Sequence, residues 1–179
     1  MSLKKALATL AIIASTTTFA VADVDTQLFT VEVPVTIDVT APAAPATVNK
    51  AASNTDVVFS NQQWSVVAND IDGSSITFEA TPFLTSQAGP KTANRNTKLD
   101  LTIFSQIGYS GATNLWSVTT ASDTTDYLTS VTDRATVAAA STDAANAVFA
   151  LDVTFISGVH GTFASGTYTT TVTGTISAL

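Results

Sequence analysis

Residues 29–40 alternate without a break. Phe29, Val31, Val33, Val35, Ile37 and Val39 are apolar, and Thr30, Glu32, Pro34, Thr36, Asp38 and Thr40 stand between them. A period of two sends successive side chains to opposite faces of a strand. The pattern predicts a long strand with one greasy face. Pro34 sits in its middle and has no N–H to give, and in sheets proline is confined to edges, strand starts and bulges. The strand therefore has a free side or an unusual seat.

The same alternation recurs down the chain. Residues 56–60, 63–69, 75–81, 99–105, 114–120 and 167–179 read as half-buried strands. Residues 134–141 read as a short strand, and residues 147–157 form the most apolar run, read as buried on both faces. The turn at Asp70-Ile71-Asp72-Gly73 predicts a hairpin joining 63–69 to 75–81. Residues 41–55 are a Pro/Ala-rich linker, and residues 85–98 a long polar loop. Residues 121–131 read as a loop with room for one helical turn, and 141–147 as another brief turn. Trp64-Ser65-Val66 is echoed by Trp116-Ser117-Val118, a short match that carries little weight as a repeat. About eight or nine strands and almost no helical periodicity predict an all-β chain, a single antiparallel β-sandwich of immunoglobulin-like or jelly-roll-like topology.

The first residues change the picture of where the chain works. Lys4 and Lys5 precede a short apolar core at 6–14, and Ala20-Val21-Ala22 offers a small-x-small cleavage pattern. That is the pattern of a secretory signal peptide over residues 1–22. The apolar run is well short of the ~20 residues that span a bilayer. No apolar run near Leu179 suggests a C-terminal anchor, so no membrane span is expected in the mature chain. The expected organisation is leader 1–22, N-terminal strand and linker 23–46, and sandwich 47–179. With no cysteine, stability has to come from packing and backbone pairing. The formal charge is −7 and charged residues are only 12% of the chain, with threonine the commonest residue. An acidic surface repels nucleic acid, so that partner class is set aside. There is no Asn-x-Ser/Thr sequon.

Candidate chemistry is sparse. Asp70, Asp72 and Ser74 form an Asp-x-Asp-Gly turn whose oxygens can converge on Ca²⁺, but Thr81 stands where the full loop needs a further carboxylate. No other cofactor is expected. Asp123 and Asp126 are spaced as a carboxylate pair, yet lie in a Thr-rich loop where turn roles are commoner. His160 is the only histidine, and no nucleophile motif accompanies it. Trp64, Trp116, Tyr109, Tyr127 and Tyr168 are candidates for stacking on sugar rings, with at least one tryptophan expected in the core. The expectation is a non-enzymatic protein. A glycan- or calcium-binding module is the alternative.

The N-terminal strand suggests a different role. A linker that packs poorly separates it from the body, so it can reach its own sheet edge or serve as a donor strand to another subunit. An exported all-β chain with this alternating N-terminal segment and the C-terminal strand GTYTTTVTGTISAL resembles pilin-like subunits of donor-strand-exchanged bacterial surface fibres. It differs from many of them in having no cysteine pair and in ending on Leu179. The resemblance implies a secreted or cell-surface structural protein. It further implies self-association into a homopolymer, or contact with other surface proteins, through Phe29, Val31, Val33, Val35, Ile37 and Val39.

Overall fold

The computed structural model describes residues 26–44, 46–86, 93–112 and 115–179. The leader expected over residues 1–22 lies outside the described residues, as does part of the 85–98 loop. The chain divides into two units, Met1–Val33 and Pro34–Leu179. Strand β1 therefore belongs to the second unit.

That second unit is all-β, as the alternation predicts. In chain order its strands are β1 (Ile37–Thr40), β2 (Val57–Ala68), β3 (Ser74–Ala80), β4 (Leu84–Thr85), β5 (Thr97–Gly108) and β6 (Trp116–Thr120). After these come β7 (Ser122–Thr124), β8 (Ala135–Ser141), β9 (Ala145–Phe155), β10 (Tyr168–Thr169) and β11 (Val172–Ala178). One sheet has the order β1-β2-β9-β5-β7, a second the order β11-β3-β8-β6, and β10 with β4 makes a small ribbon. Every pairing between these strands is antiparallel. The eleven strands among the described residues exceed the expected count because β4, β7 and β10 are only two or three residues long. Working the other way, the segments 56–60 and 63–69 are one strand, with a register shift between Phe59 and Gln62. Asn61 makes that irregularity with φ 54°, and its N–H donates to Asp152 Oδ1 at 2.6 Å.

The sheets meet through their apolar faces. Trp64 and Val66 of β2, Leu99 and Leu101 of β5, and Phe149 and Leu151 of β9 face Ile76 and Phe78 of β3, Val137 of β8 and Trp116 of β6. Four rings tie the layers edge to face: Trp64–Phe78 at 5.2 Å, Phe78–Phe149 at 6.0 Å and Phe149–Trp116 at 5.4 Å. Such T-shaped contacts add to area burial because a positive ring edge meets a negative face. Small residues opposite make the room. A Cβ on Gly174 of β11 would stand 3.1 Å from Trp64 Cζ3.

The Asp70–Gly73 turn corrects one expectation. Gly73 does take positive φ, at 96°, and its N–H donates to Asp70 O at 3.2 Å. The strands either side of it do not form a hairpin. β2 pairs with β1 and β9, while β3 pairs with β11 and β8. The turn carries the chain from one sheet to the other, since β2 and β3 both present apolar faces that bury best against each other. A Cβ at Gly73 would lie 2.3 Å from Ser141 O, so the crossing is backbone against backbone. Strand β9 is also less enclosed than expected. It buries one face fully, while Val148, Ala150 and Asp152 on the other are half-covered.

Candidate assembly surface

The N-terminal alternation splits at Pro34. Ile37 and Val39 lie in β1, half-buried against the core, with Ile37 opposite Ala68 and Thr40 opposite Ser65. Asn69 extends that pairing by a few residues. Its N–H donates to Thr36 O at 3.1 Å, its Oδ1 accepts from Thr36 N at 2.5 Å, and its Nδ2 donates to Pro34 O at 3.0 Å. A side-chain amide is standing in for the next ladder position. The next donor on that side would be the N–H of residue 34, which proline lacks, so the pairing ends there. Before it, Phe29, Val31 and Val33 belong to no strand and are 80%, 86% and 77% exposed, and Val35 is 61% exposed. Four apolar side chains at strand spacing thus stand in water, which contiguous apolar surface avoids unless it has a partner.

The other side of β1 is equally telling. Continued in register, β1 would run beside residues 57–64 of β2. The sequence there is Ala41-Pro42-Ala43-Ala44-Pro45, which has two missing donors. The chain leaves the sheet instead. Among the described residues, no strand pairs with residues 57–63 of β2 on the side away from β9. Next to that bare edge the two sheets part and leave a groove of about 1200 Å³. Its floor and walls include Phe59, Trp64, Phe83, Phe155, Tyr168 and Val172, and the linker residues 46–52 form part of its rim.

An aromatic knot closes one end of this groove. Phe155 packs on Phe83 at 5.1 Å and on Tyr168 at 5.4 Å, and Phe163 meets both Phe155 and Tyr168 edge-on. The Arg95 guanidinium lies 4.6 Å from the Phe163 centroid and donates to Tyr127 Oη at 2.9 Å. Lys50 ties down the linker, with Nζ donating to Ser53 O and Thr55 O at 2.9 Å each. It also stands 6.0 Å from the Phe163 ring, so two cations share one aromatic face system. This knot was not legible in the sequence, where Phe163 looks like one apolar residue in a Gly-rich loop.

The residues singled out for chemistry are dispersed. Asp70 Oδ1 accepts from Asp72 N at 3.0 Å in an Asx turn, while Ser74 is fully buried with its N–H donating to Ser141 Oγ. The turn therefore does not bring these three side chains together. Among the described residues, no group of three or more His, Cys, Asp or Glu is placed to hold a metal. Asp123 accepts from Thr124 N and Thr136 N, which ties β7 to β8. Asp126 accepts from Thr129 Oγ1, Leu128 N and Thr129 N. The Thr129 hydroxyl, against an opposing desolvation and with help from those N–H groups, holds the Asp126 carboxyl below its ordinary value. Each carboxylate thus serves its own turn. The His160 ring stands edge-on to Phe163, and its backbone N–H donates to Asn54 Oδ1. Both tryptophans are core residues, and Trp116 Nε1 donates to Ala145 O at 3.0 Å. Of the three tyrosines, Tyr109 is exposed and Tyr127 and Tyr168 are half-buried.

No protein family, no curated protein and no solved structure matches this chain. Among the described residues, no helix is long and apolar enough to cross a membrane.

Proposed function

We propose that this chain is a non-enzymatic structural subunit, secreted or held at the cell surface, that builds a fibre or coat by self-association through its N-terminal segment. One observation carries the reading: Phe29, Val31, Val33 and Val35 keep perfect strand alternation yet belong to no strand and stay exposed. Random drift does not favour a two-residue apolar period on a segment with nothing to pack against. The leader-like residues 1–22 support export, and the dispersed carboxylates and lone histidine give no reason to invoke catalysis. A head-to-tail contact, with one subunit's segment on the next subunit's body, does not close on itself and propagates.

The test is light scattering after size exclusion, with negative-stain microscopy, on residues 23–179 and on residues 34–179. The shorter form is the compact unit with its own core. The expected result is concentration-dependent oligomers or filaments from the longer form and monomers from the shorter. Two equally monomeric forms overturn the reading.

A further inference from the structure

We infer that residues 46–55 and residues 157–167 form a two-part clasp at the end of the groove, latched where Lys50 meets Phe163, and that the groove floor beneath is open to large molecules only while the latch is parted. The inference concerns access to the groove and holds whatever enters it.

Two segments that belong to no strand line the same groove, linker residues 46–52 and loop residues 163–167. Both lie mostly in water. Within 158–167 only Phe163 is half-buried, and within 46–55 only Lys50 and Ser53 are. Segments with so little burial open locally at low cost. The side chains that do turn inward meet each other. Lys50 Nζ lies over the Phe163 ring, 6.0 Å from its centroid. A cation there is drawn to the negative face of the ring. Phe163 in turn stands edge-on to Phe155 and Tyr168 at the groove's end.

The bases of the two segments are joined as well. Asp56 Oδ1 accepts from Ser157 N at 2.7 Å, and Asn54 Oδ1 accepts from His160 N at 2.6 Å. Thr55 O accepts from Ser157 Oγ at 2.7 Å and also from Lys50 Nζ at 2.9 Å. One carbonyl oxygen is thus shared by the linker's lysine and the loop's serine. Lys50 Nζ donates to Ser53 O too, which curls the linker back onto this joint. A disturbance of one half reaches the other through that oxygen and through the Phe163 ring.

The loop also has turning points. Gly158 and Gly166 stand near its two ends with φ of 63° and 150°, which other residues adopt only at a cost. Nothing lies within 4 Å of where a Gly158 Cβ would stand, so glycine serves the bend there and no packed side chain opposes rotation. Just outside these glycines the chain is pinned, by the Ser157 bonds at one end and by Ser86 N donating to Thr167 O at 3.2 Å at the other. Residues 158–166 are therefore the part that swings. Below them lie Val57 and Phe155, partners across β2 and β9. An apolar floor left open to water invites indiscriminate capture. A clasp held by one ring contact and one shared carbonyl limits that and still parts readily.

Amide exchange by NMR and thiol labelling test this on residues 34–179. Lys50→Met keeps the aliphatic stem and removes the ammonium, while Lys50→Arg keeps a cation. The informative amides are His160 and Thr162, whose bonds to Asn54 Oδ1 and Val159 O do not involve Lys50. The expected result is that they exchange about tenfold faster in Lys50→Met, together with Ser53 and Thr55, while β9 amides are unchanged and Lys50→Arg stays near the native rates. The chain has no cysteine, so Val57→Cys places a single thiol at the floor. A bulky maleimide should label it about tenfold faster in the Lys50→Met background, with the exposed Ile107→Cys outside the groove unaffected. If Ser53 and Thr55 speed up while His160 and Thr162 do not, the halves move independently and the inference is overturned. If exchange is coupled but labelling of Val57→Cys does not change, the clasp does not guard the groove and the inference is overturned as well. Both readouts are taken on lone subunits, so either failure leaves the assembly reading standing.

Discussion

The division at Pro34 predicts a two-step response to shortening the N-terminus. Fully burying a Val, Leu, Ile or Phe side chain stabilises by about 1.5–3 kcal/mol. Leu28, Phe29, Val31 and Val33 are 77–88% exposed, so together they realise at most about 2 kcal/mol of that in the isolated subunit. Unfolded chains already bury some 10–40% of such surface, which removes much of the remainder. Starting the chain at residue 34 should therefore cost the monomer under about 1 kcal/mol. Starting it at residue 41 removes β1, with half-buried Ile37 and Val39 and the ladder to Ser65–Ala68. The side chains alone account for about 2–3 kcal/mol, with the ladder bonds roughly offset by the entropy of ordering the strand. For a domain of this size that is a drop of about 5–10 °C in Tm. Thermal melts followed by tryptophan fluorescence at submicromolar protein read it directly, because Trp64 packs on Phe78 beneath β2. If the first shortening lowers Tm as much as the second, residues before Pro34 pack on their own subunit and the reasoning fails.

Two further outcomes test the fold locally. Gly73→Ala places a Cβ 2.3 Å from Ser141 O at φ 96° and should cost about 2–4 kcal/mol in urea unfolding; a loss under about 1 kcal/mol would show that the sheet crossing is not backbone-limited. Asp126 is held below its ordinary carboxyl value, first by the Thr129 hydroxyl, so its stabilising effect is present above the usual Asp range and fades as pH falls through the lower folded value. Thr129→Val should move the Asp126 NMR titration midpoint up towards the ordinary aspartate range, and an unchanged midpoint would refute the assigned cause.

Much of the fold could be read from the sequence, because alternation reports which residues face inward. The strand-rich class, the Gly73 turn and the half-buried character of β3 and β5 follow from it, whereas β9, read as buried on both faces, buries only one of them fully. Alternation does not say which strand lies beside which. That is why Asp70–Gly73 looks like a hairpin turn and is a crossing between sheets, and why two segments around Asn61 merge into one β2. The candidate site was half legible. The apolar period of residues 29–39 stands out, and Pro34 marks it as an unusual strand. Its division was hidden, because the amide that carries the pairing back as far as Pro34 comes from Asn69, remote in the sequence. The groove was hidden as well. It is assembled from β2, β9, β10 and the linker, which are neighbours only after folding. The most informative local feature was Ala41-Pro42-Ala43-Ala44-Pro45, whose missing donors explain both why β1 stops and why β2 keeps a bare edge.

The most direct measurement is calorimetric titration of the 34–179 unit with a synthetic peptide of residues 26–36. The account predicts saturable binding of one peptide per domain, abolished when Phe29, Val31 and Val33 are all replaced by serine. No heat and no shift in Tm with the native peptide, or equal binding of the serine peptide, would contradict it.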